Sequence, residues 1–349
     1  MSQTEQQRPA GDGGTSASYD PCVEPAGLGV RTVGSDAASG ELLDVLRVTR
    51  DLGDPAAIES RLRARAERFA PSALTGLSPV VRIGHADDGR LEVWSRRAEG
   101  FRLSAVLEWT EATGVATPLE AALTVGDRLL GALASLQQAD SGTGASGHGA
   151  IAVDQVVIDE HGALTLTDHA FGDVLSQVQL TRDRLWQRFR IAMPPAAGLA
   201  RFDHRVDVTQ AAVVICALLL GRVPRADEYP RDLPALVAEA VRRSCSGAPR
   251  TDWERLGAWL RAATELEPRN AFRSAAAARQ ALGAAFAARI GDDGAVRRWL
   301  RAARGLEEQA SSVPASAPAV IPASPPGPPA AAGEAVSWVG RLRGWLQER

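Results

Sequence analysis

Few residues of this chain are placed to do chemistry, and most of them fall in one segment, HGAIAVDQVVIDEHGALTLTD, which runs from His148 to Asp168. An imidazole opens the stretch and a carboxylate closes it. Val156, Val157 and Ile158 form an apolar run, Asp159-Glu160-His161-Gly162 supplies turn chemistry, and Leu164 and Leu166 alternate with Ala163, Thr165 and Thr167. That pattern reads as a β-hairpin ending at Asp168. A carboxylate there has two readings: a polar residue that closes the strand, or a contact to a metal or nucleotide. The other reactive types are scattered. His85, His148, His161, His169 and His204 show no i,i+4 pairing and no cysteine partners, so no metal site is expected. Cys22, Cys216 and Cys245 lack ligand spacing and read as reduced thiols. No G-x-S-x-G or comparable nucleophile motif occurs.

The elements that must position these residues follow from composition and periodicity. With 349 residues, 45% of them hydrophobic, the chain has ample material for a core. Its formal charge of −3 provides no bulk basic field for nucleic acid or acidic lipid. Every one of its basic residues other than histidine is an arginine; there is no lysine. This bias, with abundant Ala and Gly, suggests a GC-rich bacterial genome. Residues 1–26 are Gly-, Ser-, Gln- and Pro-rich and are read as disordered, with no apolar leader. Strand-like fragments follow, at Val30 to Val33 and Leu42 to Val48. Asp54-Pro55 opens a helical pattern through Phe69, and its Arg61 to Arg68 stretch reads as a solvated face. Val80 to Ile83 and Leu91 to Trp94 form a second hairpin across an Asp87-Asp88-Gly89 turn. From Leu103 the text turns helical, and it stays so from Val208 to Ile290. The apolar run Ala211 to Leu220 is far short of the roughly 20 residues a membrane crossing needs. It is expected to be a central core helix of a soluble, cytoplasmic protein. Strands followed by helices fit an α+β class.

In layout the first hairpin resembles the catalytic-loop hairpin of eukaryotic-like serine/threonine protein kinases, in which H-R-D leads through Lys and Asn into two strands ending at D-F-G. Gly162 sits at the family's turn glycine, and Asp168-His169-Ala170 stands for D-F-G. Four further segments follow in the family's order. Met193-Pro194-Pro195-Ala196 is similar to M-A-P-E, and Asp203 to Val208 to D-x-R-S-D-V. The run ending Leu218-Leu219-Leu220-Gly221-Arg222-Val223-Pro224 is similar to L-L-T-G-R-x-P, and Pro268 to Ala275 to the late P-x-x-R-x-S-A segment. The resemblance covers roughly residues 28–286. It implies a bilobal kinase-like fold: a degenerate N-lobe over 27–107 and a helical C-lobe over 108–290. An accessory helix (291–308), a Pro/Ala-rich linker (309–334) and an amphipathic tail helix (335–349) are expected after it.

Against that family the reagents are missing. Phosphoryl transfer rests on positioning and charge neutralisation by four side chains. The catalytic-loop Arg-Asp is Gly149-Ala150, the Lys is Ala152, and the metal-binding Asn is Gln155. The phosphate-binding Lys of the third strand falls at Asp44, or at Arg47 in a slipped register. Only Asp168 keeps its type. The interlobe cleft is therefore expected to hold no fixed cation where a triphosphate would lie. Gly27, Gly29, Gly34 and Gly40 do not make a G-x-G-x-x-G loop, and Glu67, the candidate helix Glu, has no lysine to pair. Scaffold residues stay. The resemblance implies that His148 is structural and that Asp207 accepts backbone N–H bonds from the catalytic loop. Arg273 has lost its usual Glu partner, now Ala196, and is expected to find another acceptor or solvent. The implied function is a bacterial pseudokinase, a scaffold or regulatory partner in signalling that needs no cofactor. Two alternatives stay open. One is an atypical kinase or nucleotide-binding regulator that still holds ATP and magnesium through Asp168 and an Arg, with weak or no phosphotransfer. The other is a peripheral membrane adaptor that uses Trp338, Leu342 and Trp345 of the tail, or offers them to a partner groove.

Overall fold

A five-stranded antiparallel sheet, inset with one helix, caps a helical body; the computed structural model describes residues 25–69, 74–140, 147–178, 180–195, 202–245 and 247–311. The sheet comprises β1 (Pro25–Ala26), β2 (Gly29–Ser35), β3 (Leu42–Val48), β4 (Val80–His85) and β5 (Leu91–Arg96), in the order β1-β2-β3-β5-β4. Helix α1 (Pro55–Phe69) is inserted between β3 and β4. Its start follows from the sequence: Asp54 accepts from the Ala56 and Ala57 amides, and Pro55 takes the first helical position, where no N–H is needed. Alternation gives the sheet two faces. Leu46, Val48, Ile83 and Val93 point inward against Ile58 and Leu62 of α1. Leu43, Val45 and Trp94 cluster on the outer face, where the Arg82 guanidinium covers Trp94 at 4.1 Å.

The chain crosses to the second lobe through residues 97–102. Strand β6 (Phe101–Arg102) runs directly into α2 (Leu103–Thr113), so the lobe boundary expected after residue 107 falls inside a helix. Helix α3 (Leu119–Asp140) follows, then the hairpin β7 (Val156–Ile158) and β8 (Leu164–Leu166), with β6 completing a three-stranded sheet. Next come α4 (Gly172–Leu175) and α5 (Arg182–Phe189), neither of which was read from the sequence. Helices α6 (His204–Leu220), α7 (Leu233–Ser244), α8 (Arg250–Ala263), α9 (Ala275–Phe286) and α10 (Asp293–Ser311) complete the body.

The run Ala211 to Leu220 lies in α6 and is buried on every side, the condition under which a helix needs no polar face. Asp203 caps its start by accepting from the Arg205 and Val206 amides, and Gly221 ends it in the left-handed region at φ 66°. No helix among the described residues is long and apolar enough to cross a membrane.

Two boundaries differ from expectation. Pro25 and Ala26 pair with β2, so the sheet starts inside the stretch read as disordered, and α10 extends to Ser311, into the expected linker. The remainder of that linker, the tail with Trp338, Leu342 and Trp345, and Ala196 lie outside the described residues.

Candidate functional site

The register of the upper sheet decides which charges face the space between the lobes. Arg31 lies opposite Leu46, and Val33 opposite Asp44, so Arg31 and Asp44 share the inner face. Arg47 lies opposite Glu92 on the outer face, and the two pair at 3.1 Å. Of the two residues considered for the lysine position, Asp44 faces the cleft and Arg47 does not.

Asp168 ends the lower hairpin with a left-handed backbone, φ 64°, which aims its carboxylate upward into this charge cluster. The carboxylate pairs with the Arg31 guanidinium, and the two side chains are only 3% and 9% exposed. Gln155 donates its amide to the same oxygen at 3.3 Å. Beside them, Arg102 approaches Asp44 at 3.6 Å and donates to the Asp154 carbonyl at 2.5 Å. Burial alone would raise the Asp168 carboxyl; the Arg31 and Arg102 guanidiniums overcome this and hold it below the usual carboxylate range. Asp44 goes the other way, raised by burial that Arg102 and Arg31 only partly offset.

The expectation of a cleft without a fixed cation is thus corrected. Two largely buried guanidiniums stand there, one delivered by β2 and one by β6 rather than by β3, and each is matched to a carboxylate; the exposed Arg97 lines the same space. A cavity of about 360 Å3, lined by Arg31, Asp44, Arg97, Phe101, Arg102 and Trp109, opens beside this quartet.

Below Asp168 the catalytic-loop frame is held by hydrogen bonds. Asp207 accepts from the His148 amide at 2.9 Å and the Gly149 amide at 2.8 Å, and from the Gln137 side chain at 3.1 Å. Gln210 accepts from the Ile151 amide at 2.9 Å and donates to the Gly149 carbonyl at 3.1 Å. The His148 ring sits between the Ala150 amide, which donates to Nδ1 at 3.3 Å, and the Thr167 carbonyl, 3.1 Å from Nε2. That arrangement requires the proton on Nε2. Burial drives the His148 imidazole down to about 3, so it is neutral. His169, next to Asp168, is driven to about 4 by the same cause and packs edge-on against Phe69 of α1.

What fills the frame is apolar. Ala150 is fully buried, and Ala152 is 4% exposed. Ala150 belongs to a cluster that crosses the lobes. Leu28 of the β1–β2 turn, Leu46 and Val48 of β3 and Ile58 and Leu62 of α1 meet Phe171, Val174, Leu175, Leu185 and Phe189 of the segment after Asp168. Helices α4 and α5 thus pack into the lower face of the upper lobe. Each such fully buried side chain contributes about 1.5–3 kcal/mol of transfer free energy. The close approach is built on glycine: a Cβ on Gly27, in the turn between β1 and β2, would lie 2.7 Å from the Phe189 Cα of α5.

One residue missed by the sequence reading joins these parts. Arg65, within the α1 stretch read as a solvated face, is fully buried. Its guanidinium donates to the His169 and Gly147 carbonyls, both at 2.8 Å, and pairs with Asp173 at 3.3 Å and Asp140 at 3.5 Å. Arg68 reaches Asp140 from the other side at 3.1 Å. Glu67 is exposed, as is Arg273, which makes no ion pair among the described residues; nearby, Arg205 pairs with Glu265 at 3.0 Å.

No known protein-family profile matches the chain, and no curated protein does. Among solved structures, the kinase domain of Mycobacterium tuberculosis PknI is similar with a TM-score of 0.52 at 16% identity, over 81% of this chain and 100% of that domain. A double-mutant form of the same domain gives 0.53 at 15% identity, over 78% of this chain and 96% of that one. Likeness at this identity speaks for architecture alone. The small antiparallel sheet with its inset helix, the β7–β8 hairpin and the helical body give the chain the bilobal protein-kinase fold.

Proposed function

We propose that the protein is a catalytically silent member of the kinase fold that works by binding partners, as a scaffold or regulatory subunit in bacterial signalling. The observation that carries this reading is the fate of Asp168. The one retained acid of the metal-binding set is engaged by Arg31 in a buried ion pair, next to a catalytic-base position that is alanine inside an apolar cluster. A magnesium–nucleotide complex would have to displace Arg31. Breaking a buried pair costs about 3–5 kcal/mol, roughly a hundredfold to several thousandfold in affinity. Even with nucleotide bound, no carboxylate stands where a substrate hydroxyl would lose its proton.

The test measures two things on the purified full chain: the melting temperature with ATP and with magnesium plus ATP, and transfer of labelled terminal phosphate to the chain itself and to a general protein substrate. No ligand-dependent shift and no incorporation are expected. A saturable, magnesium-dependent rise in melting temperature that vanishes in Asp168→Ala would overturn the silent-cleft reading, and so would steady phosphate incorporation.

A further inference from the structure

Helix α10 packs on the helical lobe through Val296, Trp299, Leu300 and Ala303, spaced i, i+3, i+4 and i+7 and all nearly fully buried. Its flank carries a second row at the same spacing, Arg297, Arg301 and Arg304. These three guanidiniums line one wall of a groove of about 370 Å3. The far wall is Phe101 with the β7–β8 turn at Glu160 and His161, and Leu300 lines it as well. Arg304 lies over the Phe101 ring at 4.4 Å. None of the three makes an ion pair with a described side chain up to Gly305, in a lobe where arginine is otherwise commonly matched. Arg298 on the same helix pairs with Asp292, Arg279 with Asp127, and Arg289 with Glu120 and Asp252. The row spans about 10 Å along the helix axis, the length of a few residues of extended chain.

We propose that this groove docks an acidic, extended peptide segment of a partner protein, with carboxylates on the arginine row and an apolar side chain against Phe101. Charge complementarity names the class, because guanidinium forks suit carboxylates. Shape and surroundings favour a peptide over other polyanions. The site is concave, whereas a membrane is flat. Only one wall is basic, the Glu160 carboxylate stands on the other, and the chain's net charge of −3 gives a phosphate polymer no long-range attraction. The inference rests on the scaffold reading, to which it gives a partner class, and shares only Phe101 with the cleft cavity. Its test reads peptide binding, not nucleotide or phosphate, so either can fail alone.

The test is fluorescence anisotropy of a short labelled peptide alternating glutamate with alanine and carrying one central leucine, titrated with the full chain at low and at physiological ionic strength. Saturable binding is expected, weakened about tenfold or more by Arg297→Glu/Arg301→Glu, with the glutamine version of the peptide binding far less. Arg242→Glu/Arg250→Glu, an equal charge change at exposed positions elsewhere on the lobe, is expected to leave binding unchanged. Both double variants alter exposed side chains, and an unchanged melting temperature checks that each folds. Three results would overturn the proposal: no saturable binding, equal loss in both double variants, or duplex DNA or anionic phosphatidylserine vesicles binding as tightly as the peptide with the same sensitivity to Arg297 and Arg301.

Discussion

Replacing Arg65 by methionine tests the joint between the lobes directly. Methionine keeps much of the stem volume and removes the fork. It leaves the His169 and Gly147 carbonyls without their donor and takes one cation from Asp140, which is 1% exposed, and from the half-buried Asp173. Breaking a buried pair costs about 3–5 kcal/mol, and each stranded carbonyl adds about 1 kcal/mol or more. Arg68 remains on Asp140 at 3.1 Å and offsets part of this. A net loss of about 4 kcal/mol is expected, a large share of the 5–15 kcal/mol that holds a typical domain. The assay is urea unfolding followed by both far-ultraviolet circular dichroism and tryptophan fluorescence, reading the midpoint at constant slope. Arg65→Lys should fall between the parent and Arg65→Met, since an ammonium cannot serve the same directions as a planar fork. Asp140→Asn in the methionine background should recover part of the loss, because it removes the acid left short of a cation. A loss below about 1 kcal/mol in Arg65→Met would refute the reasoning.

Two further outcomes follow from the same interior. His148 and His169 are neutral when folded, with values near 3 and 4, and titrate near 6.5 when unfolded, so the unfolded chain binds more protons between those limits. Stability is therefore full above about pH 7 and falls as pH drops, by about 4 kcal/mol at about pH 5 for the pair; a urea midpoint that stays flat over that interval would contradict the burial of both rings. Placing aspartate where the kinase resemblance puts the catalytic base, in Ala150→Asp, should not bring about phosphate transfer. It places a carboxylate among Phe171, Met193 and Phe202 and should lower stability by roughly 3 kcal/mol; a variant as stable as the parent would mean that this position reaches solvent.

The parts of the fold visible in the sequence were those set by local pattern. The hairpin around Gly162, the cap at Asp54-Pro55 and the apolar run Ala211 to Leu220 of α6 are each dictated by residues within a few positions of one another. Asp207 was found through a motif, and two catalytic-loop amides donate to it, whereas its third donor, the Gln137 side chain on α3, had no signal in that motif. The charges were harder. Arg31 and Arg65 look like any exposed arginine, because what buries them, Asp168 for one and Asp140 and Asp173 for the other, lies far away in the chain. A strand-by-strand search for a cation on β3 therefore missed the one on β2. Helix α5 did carry a local signal: Thr181 accepts from the Arg184 amide as its cap, with Leu185, Trp186 and Phe189 on one side. Its destination under the upper sheet had none, since apolar spacing identifies a buried face without naming what covers it. The two residues of β1 are too few to show any period.

The cluster running from Leu28 through Ala150 to Phe202 has a mechanical consequence. Kinases of this architecture work by swinging one half against the other about a short connector. Here the two halves are welded along their facing surfaces, so separating them means exposing oil to water rather than turning a hinge. Such a joint is expected to hold the two halves in one arrangement, because parting them exposes that shared apolar surface.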